Sequence, residues 1–70
     1  MSIWKAIVTA DVKQREVSIT FKDGKTVDGI VIWCEGSNDS ESGRDEGAIE
    51  IDGNKSMFFF LDEIETVTFK

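Results

Sequence analysis

Val17, Ile19 and Phe21 alternate with Glu16, Ser18, Thr20 and Lys22, and Asp23-Gly24 follows at once. A period of two sends one set of side chains to a buried face and the other to water, the pattern of a half-buried strand. Gly24 accepts the positive φ that a tight turn demands, so the segment predicts a two-residue hairpin into a second strand over about 25–34. This hairpin constrains the chain more than any other feature. It commits the fold to an antiparallel sheet, and 70 residues leave room for a single domain, 1–70.

The rest of the chain extends the same reading. Ile30–Cys34 and Met57–Leu61 are apolar at every position, so both faces of those strands need cover. Gly29 interrupts the second strand and marks a bend or bulge where a small sheet curls. Residues 35–47 hold no large apolar side chain and are expected to form a mobile, solvated loop. Ala48–Asp52 reads as a short strand with Ile49 and Ile51 inward, and Asp52-Gly53-Asn54-Lys55 as a turn. The odd step from Ile64 to Val67 predicts one turn of tight helix near Leu61–Ile64, before a last strand with Val67 and Phe69. At the N-terminus, Trp4, Ala6, Val8, Ala10 and Val12 would share one face of a strand, with Ile3 and Ile7 on the other. Ile, Val and Thr favour that strand, and no capping box argues for a helix. The sum is an all-β fold: a small, strongly bent antiparallel barrel of five to six strands.

The stretch Val17-x-Ile19-x-Phe21-Lys22-Asp23-Gly24-Lys25-x-Val27-x-Gly29-x-Val31 resembles the first signature of the Sm-like family. Such a hairpin also occurs in Src-homology-3-like barrels. The Sm-like resemblance implies a five-stranded, strongly bent barrel that assembles into rings and binds RNA. The family pattern continues with an acidic residue and, four positions on, a base-reading Asn. Glu35 stands at the acidic position, but Asp39 stands four on, with Asn38 one place early. The family's second signature, Ile-Arg-Gly, meets Phe60-Leu61-Asp62-Glu63 here. The resemblance therefore implies the barrel, and the residues that would read RNA are not carried with it.

Charge narrows the partners. The formal net charge is −6, and residues 35–52 carry seven carboxylates against Arg44 alone. Phosphate contacts need Lys and Arg, so nucleic acid is the disfavoured partner. A protein with a basic surface suits the acidic patch of Glu35, Asp39, Glu41, Asp45 and Glu46, which otherwise serves as a solubilising loop. Asn38-x-Ser40-x-Ser42-Gly43 imitates the start of a Ca²⁺ loop, but Ile49 stands where the bidentate Glu belongs, so no metal or cofactor is expected. Cys34 is the single cysteine, and with no secretory pattern at residues 1–10 it points to a reducing cytoplasm. No apolar run approaches the roughly 20 residues of a membrane span. The chain has no His, no phosphate-binding Gly-rich loop and no nucleophile elbow, and an apolar strand keeps the Cys34 thiol protonated. Asp62, Glu63 and Glu65 read as solvated at the final turn. An enzyme is not expected.

A domain this small has one core, yet two of its strands are apolar on both faces. The leading reading is a non-enzymatic binding module that forms a homo-oligomer and acts through protein–protein contact, with Trp4, Ile30, Ile32, Cys34, Phe58 and Phe60 at the interface. Trp4, Val8 and Val12 would serve as a lid over one outer face. A compact acidic barrel of this kind also suits an inhibitor or adaptor encoded by a phage or mobile element. Two alternatives stand beside it: a single-stranded RNA binder, or an oligomer holding a nucleotide-sized ligand. Lys22, Lys25 and Trp33 are the candidate RNA or ligand contacts, the RNA reading resting on the two lysines and the ligand reading on an oligomer seam lined by Trp4, Trp33 and backbone amides.

Overall fold

The computed structural model describes residues 2–51 and 55–70. Five strands and one helix follow in the order α1 (Ile3–Lys13), β1 (Glu16–Phe21), β2 (Thr26–Glu35), β3 (Glu46–Ile51), β4 (Lys55–Phe60) and β5 (Ile64–Phe69). A 3₁₀ turn, Leu61–Glu63, joins β4 to β5 at the position where the parity of the sequence breaks.

All pairings are antiparallel, in the order β4-β3-β2-β1-β5. The two strands at opposite ends of that order are consecutive in the chain. In a flat sheet they would lie about 19 Å apart, four spacings of ~4.8 Å. The four steps from Phe60 to Ile64 span at most about 14 Å. The sheet is therefore curled until its ends approach, an open barrel whose two edges remain β4 and β5. Gly29 permits the curl, because a Cβ there would collide with the Glu50 backbone carbonyl.

The concave side holds the core: Ile7, Ala10, Val17, Ile19, Phe21, Val31, Ile49, Phe59, Leu61 and Ile64. Phe21 and Phe59 meet edge to face at 6.2 Å across the curled sheet.

Three expectations are corrected. The N-terminal segment is a helix. Ser2 caps it, its Oγ accepting from the Lys5 N–H at 3.1 Å. Gln14 closes it in the left-handed region (φ 51°), and its side-chain amide donates to the carbonyls of Asp11 and Val31. Ile3, Ile7 and Ala10 recur at helical spacing and seal the barrel against β2 and β5, which outweighs the strand preference of Ile, Val and Thr. Trp4 and Val12 consequently face water and form no lid.

The first hairpin has a three-residue loop, Lys22–Gly24, bracketed by the Phe21 N–H donating to the Lys25 carbonyl at 2.8 Å. Gly24 takes φ 94°, the left-handed residue that such loops place beside a bulge, and Asp23 Oδ1 accepts from the Lys25 N–H. The third correction concerns Glu46, placed in the solvated loop by its charge. It starts β3 and is only 8% exposed. The turn expected at Asp52-Gly53-Asn54 lies outside the described residues.

Candidate macromolecule-binding surfaces

The convex side of β2, β3 and β4 is where the surplus apolar residues emerge. In the β2–β3 register Val31 opposes Ile49 and Trp33 opposes Ala48, so Ile32 is an extra residue, a β-bulge. A bulge shifts the alternation by one. Val31 and Cys34 point inward, while Ile32 and Trp33, adjacent in sequence, both reach solvent at 43% and 40% exposure. Phe58, opposite Ala48 on β4, is 51% exposed. Trp33, Ala48 and Phe58 form one row across the sheet. The rings of Trp33 and Phe58 pair across the small Ala48, their centroids 6.5 Å apart.

The neighbouring row is charged. Glu35 opposes Glu46, and Glu46 opposes Phe60. Phe60 packs edge to face on Phe58 at 5.1 Å and lies under the Arg44 guanidinium at 3.6 Å. Arg44 grips Asp62 with two hydrogen bonds, Nη2 to Oδ1 at 2.5 Å and Nε to Oδ2 at 2.9 Å. This fork holds the Asp62 carboxyl below its ordinary range and raises the guanidinium further. The loop before β3 is built from turns rather than left open. Gly36 O accepts from the amides of Asp39 and Ser40, and Asp45 Oδ1 accepts from the Ser37 N–H. Ser42 Oγ donates to Glu46 Oε1 at 2.9 Å.

A hollow of about 500 Å³ opens beside Trp33, lined by Glu35, Asp39, Glu41, Ser42 and Glu46. A second cleft, about 420 Å³, lies between the first hairpin and β4, lined by Phe21, Lys22, Lys25 and Met57–Phe59, with Asp23 and Glu63. Among the described residues no cluster of three His, Cys, Asp or Glu is arranged to hold a metal ion.

The fold spreads the sequence-derived interface residues over several places. Ile32 and Phe58 share the convex patch, with half-buried Phe60 at its border. Ile30 lies on the same side, between Glu16 and Glu50 in the register, and is half-buried. Cys34 points the other way, its Sγ donating to Asp11 Oδ2 on α1 at 3.6 Å. Burial first, and then the Asp11 carboxylate, push its thiol up to about 11. Trp4 is on α1, where its ring rests on Gly36. Lys22 and Lys25 share the hairpin cleft, and Trp33 is separated from it by Phe58. Of the acidic residues, Glu35, Asp39, Glu41 and Glu46 converge on the hollow. Arg44 and Ala48 were not legible as site residues, since each matters only through a cross-strand neighbour.

The crystal structure of the pleiotropic translational regulator Hfq superposes on this chain with a TM-score of 0.72, covering 94% of it and 86% of Hfq at 20% identity. The fold is Sm-like. No protein-family model matches the chain, and no curated protein matches it in sequence. On this Sm-like barrel, the position where the family pattern wants a base-reading Asn holds Asp39, inside a hollow of carboxylates. The Ile-Arg-Gly position holds Phe60 and buried Leu61. No helix among the described residues is long and apolar enough to cross a membrane.

Proposed function

We propose that this Sm-like barrel is a non-enzymatic binding module that self-associates through its sheet edges and acts by contacting another protein. The observation that carries the reading is the solvent exposure of Ile32, Trp33 and Phe58 on the convex side of the sheet. Large apolar side chains gathered in this way mark interaction sites. Self-association draws on a second feature. β4 and β5 are each six residues long, each pairs on one side only, and they terminate opposite ends of the sheet. Joining β4 of one copy to β5 of the next is a head-to-tail contact, which closes a ring when the rotation allows. The Sm-like resemblance implies the same assembly. Sedimentation velocity at tens of micromolar tests it: a discrete oligomer is expected, and a lone 7.8 kDa monomer would overturn the self-associating part.

A second reading is favoured by the hairpin cleft, where Lys22 and Lys25 line the same space as Phe58, a space suited to one nucleotide. It predicts salt-sensitive binding of polyuridine or polyadenosine, weakened by Lys22→Glu or Lys25→Glu. Titration at low salt without any shift removes the RNA form. Native mass spectrometry of the protein from cell lysate, finding no added mass, removes the small-ligand form.

A further inference from the structure

We infer that the convex face of β2, β3 and β4 docks a short protein segment that is both basic and apolar, its aliphatic side chain against the exposed Trp33 and Phe58 rings and its Lys or Arg in the acidic hollow. The two halves of this surface are continuous, because Trp33 belongs to both: it forms the aromatic row with Phe58 and walls the hollow. The charge argument fixes the sign of the partner. Glu35 and Glu46 stand directly opposite each other across β2 and β3, and like charges in that register destabilise a sheet. Glu46 is nearly buried, with a single hydroxyl hydrogen bond from Ser42. The one cation of this stretch, Arg44, is turned away onto Asp62 and Phe60. The hollow thus holds carboxylates beside an indole ring, with no counter-charge among its described lining residues.

A Lys or Arg side chain answers both features, by ion pairing and by its attraction to the indole face. RNA does not, because its phosphates would meet these carboxylates. The apolar row asks in addition for an aliphatic anchor within a residue or two of the cation. The sign pattern sets selectivity and on-rate, and makes binding sensitive to salt.

The inference rests on the reading of the chain as a binding module and deepens it by naming the partner's chemistry. The test uses the full chain and a fluorescein-labelled peptide of alternating leucine and arginine, with a leucine–glutamate peptide as control, followed by anisotropy at low and high salt. The arginine peptide is expected to bind and the glutamate peptide to be ignored. Trp33→Ala and, separately, Glu35→Gln with Glu46→Gln should each weaken binding at least tenfold, with far-UV circular dichroism unchanged. Glu41→Gln with Asp39→Asn offers a second charge variant in case the strand glutamates disturb folding. Equal binding by Trp33→Ala would overturn the inference, leaving the loop a plain polyanion. So would competition by polyuridine for the same site, or loss of self-association on Trp33→Ala, which would give the face to a second copy of this chain. An oligomer that ignores the peptide sinks this inference alone, whereas a monomer that binds it sinks the self-association alone.

Discussion

Val31 and Ile32 are neighbours on one strand and differ by a methylene, yet Val31 is fully buried and Ile32 is 43% exposed. The same division runs through the sheet. On the concave side, Val31, Ile49 and Phe59 meet α1 and the opposite wall of the barrel. On the convex side, Trp33 packs against Phe58 beside an acidic rim, and Ile32 lies open to water. Composition does not distinguish the two sides. Apolar residues contribute to stability only where another layer covers them, and where none does they are available for recognition.

Four measurements can break or sharpen that contrast. The largest effect is expected from Ile49→Ala, which opens a cavity under the fully buried side chain and should cost about 2–5 kcal/mol in urea unfolding. Ile32→Ala on the convex side should stay within about 0.5 kcal/mol of the parent. If the two losses were equal, the contrast would fail.

Gly29→Ala attacks the curl that creates two distinct sides. Its new Cβ meets the Glu50 carbonyl, and backbone cannot step aside as a side chain does. A loss of about 1–3 kcal/mol is expected, in the range of overpacked sites, read as a lowered melting temperature. An unchanged melting temperature would show that the β2–β3 approach is looser than the structure places it.

Cys34 offers a pH test of the inward side. Its thiol ionises near 9.0 in an unfolded chain and at about 11 in the fold, so the folded state binds that proton more tightly. The stabilisation is complete below pH 9 and declines as the pH rises toward 11. Parent and Cys34→Ala should therefore show different pH slopes in this window; identical slopes would place the thiol in water.

The smallest change in stability belongs to the convex side. Asp62 is exposed and its carboxyl is lowered chiefly by Arg44, so the contribution is present above the unfolded pKa and fades as acid protonates the group. Arg44→Gln should raise the Asp62 titration midpoint seen by NMR toward the ordinary carboxylate value while leaving the unfolding curve nearly in place. A midpoint that does not move would mean the fork is absent in solution.

Local rules carried much of this fold. The alternation of Val17, Ile19 and Phe21, the Asp23-Gly24 corner and the parity break before Val67 are each decided within a few residues. A strand reading of the N-terminal segment fails because Ile3, Ile7 and Ala10 fit helical spacing, while Trp4, Val8 and Val12 only imitate a strand face. Ser2, a capping residue at the right place, was the signal that could have corrected it. For the binding surfaces, the aromatic and acidic residues could be named from the chain, but not grouped.

The sequence by itself determined an antiparallel sheet with a tight first corner, a curl at Gly29 and an uncompensated acidic segment, because turn chemistry, side-chain alternation and charge are local properties. Only the tertiary structure decided that Ile32 is bulged, that Cys34 turns inward while Trp33 turns out, that Glu35 faces Glu46, and that Arg44 is held on Asp62. Those outcomes depend on the register between strands far apart in the chain, and a shift of one residue in that register exchanges the face that packs for the face that binds.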